Sequence, residues 1–167
     1  HLGITTIPLG PEVLPCIELY GCYTREEIFT LVGRQTEEKR MSGSVSGVFN
    51  LPEYDATLLF VTLNKSDKDF SPSTQYDDYV INKDYFHWQS KNTDSHHNRG
   101  GRIYTEQPQR HNKIVLFVRE EKKDGFGNTC PFHCFGLVNY VSSHGDFPMN
   151  ITWKLEKPVM PQYLKVV

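Results

Sequence analysis

The chain has 167 residues, of which 38% are hydrophobic and 13% aromatic, a composition that excludes a disordered chain and predicts one globular domain. The net charge of −2 and the pI of about 6.4 exclude a surface that is basic throughout, although they are compatible with a local basic patch. No apolar run approaches the ~20 residues of a membrane-spanning helix, so we expect a cytoplasmic protein with no membrane partner.

The N-terminal segment and the cysteines fit the same interpretation. Residues 1–15 lack the charged start and long apolar core of a signal peptide, and are typical of a linker or a tag remnant. Residues 16–167 are expected to form the domain. The cysteine spacings are C-x5-C and C-x3-C, and the first does not match a zinc knuckle, so we expect reduced cysteines and neither a metal nor a cofactor. The four cysteines are Cys16, Cys22, Cys130 and Cys134.

One short helix is predicted near the N-terminus. In "YTREEIFTLVGR", Thr24 is a typical N-cap and Glu27 completes a capping box three residues later. Gly33 is a suitable residue to end the helix. The apolar stripe of this helix would consist of Ile28, Leu31 and Val32.

Strands are predicted for most of the remaining chain, because β-branched and aromatic residues recur between turn signals. Segment 113–120 is almost uninterruptedly apolar, which is typical of a strand covered on both faces, whereas segment 149–156 alternates like a half-buried strand. Asp124-Gly125 predicts a hairpin turn. The predicted strands are 57–63, 84–90, 102–106, 113–120, 132–142 and 149–156.

These elements predict an α+β fold that is predominantly β. Six short strands with one early helix suggest a small curved sheet or a partly open β-barrel, with a single short N-terminal helix.

Several motifs resemble a known family. The segments "LLFVTLNKSDKDFSPSTQYDDYVINKDYFHWQSKN", "VLFVREEKKD" and "CPFHCFGLVNYVSSHGDFPMNITWKLEKPV" resemble an uncharacterised C-terminal domain of bacterial helicase-like proteins with a phospholipase-D-type nuclease module, and of restriction-type proteins. The resemblance covers roughly residues 20–158. It implies a DNA-binding domain, fused to a catalytic domain in a restriction or defence protein. The order of elements is also similar to the PUA-like barrels, which include readers of modified bases.

The strand "YFHWQ" and its surroundings supply candidates for base recognition. A protein that reads an extruded base needs a flat aromatic wall and hydrogen bonds to the base edge. Trp88 or Tyr79 would form the wall, and Gln89, Ser90 or Asn92 the edge contacts; alternatively, Phe86 and Trp88 fill the core and Gln89 is solvated. The candidates for base or mark recognition are Tyr76, Tyr79, Phe86, Trp88, Gln89, Ser90 and Asn92.

The stretch "KNTDSHHNRGGR" predicts a flexible cationic loop that contacts phosphates, since Gly100 and Gly101 permit close approach of the backbone. The alternative is an exposed polar loop with no binding role. We further expect Trp88 and Arg102 to open onto one concave surface. The candidate phosphate-binding residues are Lys65, Ser71, Ser73, Lys91, Arg99 and Arg102.

The function favoured by these patterns is recognition of duplex DNA, with a modified or marked site as target and without catalysis by this domain. Two alternatives remain open. The acidic residues of "SDKDFSPSTQYDD" would suit a magnesium-dependent nuclease, although they alternate with lysines. The near-neutral charge is also compatible with a protein-interaction module of a helicase.

Overall fold

The computed structural model describes residues 5–34, 47–64 and 76–164. Within these ranges, three short α-helices and ten strands are formed. The helices are α1 (Arg25–Leu31), α2 (Arg99–Thr105) and α3 (Gln107–Arg110). The strands are β1 (Ile7–Pro8), β2 (Glu18–Leu19), β3 (Cys22–Tyr23), β4 (Val48–Leu51), β5 (Ala56–Asn64), β6 (Tyr79–Val80), β7 (Tyr85–Gln89), β8 (Lys113–Glu121), β9 (Phe132–His144) and β10 (Asn150–Leu155).

The main sheet has the strand order β4-β5-β8-β9-β10-β7-β6, and β3 pairs with the start of β9. Strands β5 and β8 are parallel, and the other pairs are antiparallel. Among the described residues the sheet is open, with β4 and β6 at its edges, and does not close into a barrel. The prediction of a mainly β α+β fold is therefore confirmed, whereas the prediction of a single short N-terminal helix is wrong, because α2 and α3 also form. No helix of the described ranges is long and apolar enough to cross a membrane.

The central strands pack on both faces, because alternate residues of β5 and β8 contribute to two different cores. Leu116 belongs to the core beneath α2, and its neighbour Phe117 belongs to the core beneath α1, so the prediction that segment 113–120 is covered on both faces is confirmed. We call these the α2 core and the α1 core. The α2 core includes Leu59, Phe86, Trp88, Tyr104, Leu116 and Trp153, and the α1 core includes Leu14, Ile28, Phe29, Phe60, Phe117 and Phe132.

Helix α1 begins and ends as its sequence predicts. The Thr24 hydroxyl accepts from the Glu27 backbone N–H at 3.1 Å, and the Glu27 carboxylate accepts from the Thr24 N–H at 2.8 Å. This reciprocal pair is the predicted capping box. Gly33 follows the helix with φ +81°, a left-handed conformation that favours glycine.

The strand predicted at 102–106 is wrong, because this segment forms helix α2. The side chain of Asn98 caps the helix by accepting from the Gly101 N–H at 3.0 Å. Ile103, Tyr104 and Thr105 have the composition of a strand, but burial of the Tyr104 ring in the α2 core outweighs that propensity.

The glycines of this segment do not form a flexible loop. A Cβ atom on Gly101 would overlap with the Ser95 carbonyl oxygen and the Met149 sulfur. Gly101 is therefore needed for the close approach of α2 to its neighbours. The expected flexible cationic loop is therefore corrected in part, because residues 91–98 remain a loop and the packed helix α2 begins at Arg99.

Candidate functional site

Strand β7 divides the predicted recognition residues into two groups that face opposite ways. Phe86, Trp88 and Ser90 point into the α2 core, where the Trp88 side chain is only 4% exposed. The indole packs against the rings of Tyr104 and Trp153, with ring centroids 5.1 and 6.2 Å apart. In this structure Phe86 and Trp88 fill the core, which was the alternative to an exposed aromatic wall.

The expected shared surface of Trp88 and Arg102 is therefore corrected. Arg102 lies on the exposed side of α2, while Tyr104 of the same helix covers the indole. The physical reason is the large apolar area of the indole, whose burial stabilises the core strongly.

Ser90 is also buried, and its hydroxyl is engaged on both sides. It accepts from the Met149 N–H at 2.9 Å and donates to the Lys91 carbonyl at 3.1 Å. Its role in this structure is to join the end of β7 to the start of β10.

The opposite side of β7 forms a polar surface together with β6 and β10. The registers pair Thr152 with His87, and His87 with Tyr79, which places all three on one side of the sheet. We call this surface the polar face. Its members are Tyr79, Tyr85, His87, Gln89, Asn150, Thr152 and Lys154.

An aromatic stack lies at the centre of the polar face. The rings of Tyr79 and His87 are 4.5 Å apart and inclined by only 14°. The Tyr79 side chain remains 46% exposed, whereas His87 is buried beneath it. His87 Nδ1 donates to the Asp77 carbonyl at 2.8 Å, which fixes the orientation of the imidazole. The tyrosine ring is thus held parallel to a rigid support with one face toward solvent.

Beside the stack, the amide of Gln89 is held in one orientation. Its Oε1 accepts from the Asp77 N–H at 2.6 Å, and its Nε2 donates to Asn150 Oδ1 at 3.0 Å. The Gln89 backbone N–H donates to the buried carboxylate of Asp78 at 2.8 Å. Adjacent members of one surface therefore combine an aromatic plane with ordered donors and acceptors, an arrangement suited to a flat polar ligand.

The remaining predicted residues lie in the segments that flank β7, on helix α2, or outside the described ranges. Tyr76 is half-buried at the approach to β6, and Asn92 is exposed in the loop after β7. Lys91, Arg99 and Arg102 are exposed in the segment from β7 to α2. Lys65, Ser71 and Ser73 lie outside the described residues.

A cleft of about 970 Å³ lies at the open edge of the sheet, and sequence reasoning missed it. Its walls come from segments far apart in the chain, so no local motif marks it. Burial raises the pKa of Tyr163 above its ordinary value, and its hydroxyl bonds to His133 Nδ1. Lining residues include Leu63, Asp78, Tyr79, Lys83, Glu120 and Tyr163.

A hydrogen-bonded chain at the β9–β10 end was also missed. The carboxylate of Asp146 accepts from His96 Nδ1 at 2.9 Å, and the Ser143 hydroxyl lies 2.6 Å from His96 Nε2. The order Ser-His-Asp matches a hydrolytic triad, but the Tyr140 hydroxyl also bonds to the Ser143 oxygen at 2.6 Å. Because its oxygen is engaged on both sides, Ser143 acts as a link between segments. The backbone N–H of His96 holds the pKa of Asp146 below its usual range.

Nothing in the described residues supports a metal centre. They contain no group of three or more His, Cys, Asp or Glu side chains placed to hold an ion. The Asp78 carboxylate accepts from the Gln89 N–H, and Asp77 bonds to β7 through its backbone N–H and carbonyl. The four cysteines are free thiols, and burial raises the pKa of Cys134 to about 12.

Fold and site together define a mainly β domain whose open sheet carries an aromatic and polar surface near one edge. A family model described as a domain of unknown function, DUF3427, matches residues 17–166, and the chain belongs to this family. None of the curated proteins compared with the chain matches it.

Proposed function

We propose that this domain recognises DNA at a modified or otherwise marked site, as part of a restriction or defence protein that also carries helicase and nuclease domains. The observation that carries the proposal is the half-exposed Tyr79 ring, stacked on His87 beside the ordered amide of Gln89. A nucleobase has the matching chemistry, with a π face for stacking and an edge of donors and acceptors.

On the polar face, different residues provide stacking on the base and hydrogen bonds to the base edge. Tyr79 offers a plane on which one base can stack, which contributes about 1–3 kcal/mol in nucleic-acid complexes. Gln89 and Asn150 offer amide groups of known orientation for the base edge. Because these amides are fixed before binding, little conformational entropy is lost when a base arrives.

Contacts to phosphates come, in this proposal, from Lys91, Arg99 and Arg102. These three exposed cations lie in one short segment, from the end of β7 to helix α2. The net charge of −2 means that affinity depends on this local group and not on the whole surface.

We also propose that the fold is related to the PUA-like barrels. The mainly antiparallel main sheet supports this relationship, and so does the polar face beside the cleft, although the sheet is open among the described residues. A relationship of fold does not by itself assign a function, so the base-reading role depends on the polar face.

The test is a comparison of plain, methylated, hydroxymethylated and phosphorothioate duplexes by fluorescence anisotropy. We expect one marked duplex to bind more tightly than the plain one. Tyr79→Ala and Gln89→Ala should remove that preference, and Tyr79→Phe should retain it because the stacking plane remains. Val141→Ala serves as a matched control, since Val141 is exposed on β9 outside the polar face.

Three outcomes would overturn the proposal in distinguishable ways. Equal affinity for all duplexes removes recognition of a mark. Absence of binding even at low salt favours the protein-interaction module. If the DNA is cleaved in the presence of magnesium, and Asp78→Ala abolishes this cleavage, the nuclease alternative is favoured.

A further inference from the structure

Two phenylalanines of the described residues are strongly exposed, and both lie in hairpin loops that flank β9. Phe126, between β8 and β9, is 93% exposed, and Phe147, between β9 and β10, is 62% exposed. Singly exposed apolar side chains are common on protein surfaces, so how each ring is held and what lies near it decide whether it has a binding role.

The loop that carries Phe147 is fixed to the body of the domain. The Phe147 N–H donates to the Asp94 carbonyl at 2.9 Å. The carboxylate of the preceding Asp146 accepts from both the backbone N–H and Nδ1 of His96, at 2.7 and 2.9 Å. The backbone of Phe147 has φ +56°, a conformation that its bonded neighbours maintain. The ring is therefore presented on a rigid support, which lowers the entropic cost of inserting it into a partner.

The position of this loop relates it to the polar face. It leads directly into Asn150, whose side chain bonds to Gln89. Through Asp94 and His96 it is bonded to the segment between β7 and α2, which carries the exposed cations Lys91 and Arg99. Ring, amides and cations thus lie at one end of the sheet and are connected by hydrogen bonds.

We propose that Phe147 is an apolar wedge that enters the base stack next to the nucleotide read by the polar face. This inference rests on the proposed function. Inserted apolar side chains unstack one base step and kink the duplex, at a cost of a few kcal/mol that new contacts offset. The ring fills the space that an extruded base leaves, and the polar face holds the base itself.

Phe126 provides an internal comparison. Its loop is ordered by the Asp124 carboxylate, which accepts from the N–H groups of Phe126 and Asn128. The two loops lie at opposite ends of β9, a strand of 13 residues. At ~3.3 Å per residue a straight strand of this length spans roughly 40 Å, an upper bound because register shifts interrupt the pairings of β9. Phe126 is thus more exposed to solvent than Phe147 but remote from the polar face.

The experiment uses duplexes with 2-aminopurine next to one plain, methylated or hydroxymethylated cytosine, because the fluorescence of this base rises when it is unstacked. Anisotropy of a terminal dye reports binding in the same samples. We expect the wild-type chain to raise the 2-aminopurine signal on the duplex it prefers. Phe147→Ala should abolish most of that rise and weaken binding about tenfold, Phe147→Leu should retain part of it, and Phe126→Ala should match the wild type.

The outcomes separate the wedge from the function on which it rests. If the wild type binds no duplex, or all equally, the proposed function fails. If the wild type discriminates but Phe147→Ala gives the full fluorescence rise, the wedge alone is wrong. If Phe126→Ala abolishes the rise and Phe147→Ala does not, the wedge is assigned to the wrong end of the sheet. Circular dichroism melting of each variant shows that it is folded.

Discussion

The two sides of β7 differ in every property that matters for function, although their residues alternate along five positions. Phe86 and Trp88 lie in the α2 core, whereas His87 and Gln89 lie on the polar face. On the core side, the side chains are buried from solvent. On the polar side, the stack and the amide are ordered but one ring is still half exposed. Stability and recognition are thus assigned to alternate residues, and substitutions can separate them.

The largest effect is expected from Trp88→Ala. Removal of a buried indole that contacts Tyr104 and Trp153 should lower the free energy of unfolding by about 3–5 kcal/mol. Urea denaturation followed by circular dichroism measures this loss. Trp88→Phe, which retains a ring, should cost clearly less. A loss below about 1 kcal/mol for Trp88→Ala would contradict the assignment of this side of β7 to the core.

Gly101→Ala should come next, with a loss of about 1–3 kcal/mol from overpacking. Alanine is normally the better helix former, but its Cβ would overlap with the Ser95 carbonyl and the Met149 sulfur. The same denaturation experiment tests it. Gly125→Ala is the matched control, because a Cβ at that position meets open space. Equal stability of the two variants would show that α2 does not cover β7 as closely as described.

Gln89→Ala should separate recognition from stability. Loss of its two side-chain hydrogen bonds should cost about 1 kcal/mol of unfolding free energy. The preference for a marked duplex should nevertheless disappear in anisotropy titrations. Lys154→Ala, an exposed change on the same face, should retain that preference. A Gln89→Ala variant that still discriminates would remove the amide from the proposed site.

A pH-dependent effect is expected at Asp94, which lies in the segment covering the core side. Burial raises the pKa of its carboxyl above the ordinary value, and Oδ2 has no hydrogen-bond partner within the described structure. The folded chain therefore holds this proton to higher pH than the unfolded chain, so its contribution to stability falls as pH rises through that interval.

Asp94→Asn should remove this dependence. Its stability relative to the wild type should increase between pH 3 and pH 7, as measured by urea midpoints at each pH. If the stability of Asp94→Asn relative to the wild type instead decreases over the same pH interval, the folded structure favours the ionised carboxylate.

The smallest effect on stability is expected from Arg102→Ala, because the side chain is exposed on α2. Its effect should be on binding alone, with a similar loss for every duplex and a salt slope that decreases by about 1. Anisotropy titrations at several salt concentrations measure both. A loss confined to the marked duplex would place Arg102 in base recognition instead.

The sequence by itself was sufficient to predict those elements of structure that depend on interactions between residues close together in the chain. The cap formed by Thr24 and Glu27, the alternation of β10, the apolar run of β8 and the opposite faces of Phe86 and His87 all follow from interactions within a few residues. These signals also supported a mainly β α+β fold. Which side of β7 faces the core was not contained in the pattern, because both sides carry aromatic residues.

The tertiary structure decided the rest. Helix α2 exists because Tyr104 is buried, against the strand propensity of its neighbours. The polar face needs β10 beside β7, and the loop of Phe147 needs His96 beside Asp146, 50 positions away in the chain. Contacts of that separation depend on strand order and burial, which are determined by the whole core and not by any short stretch of residues.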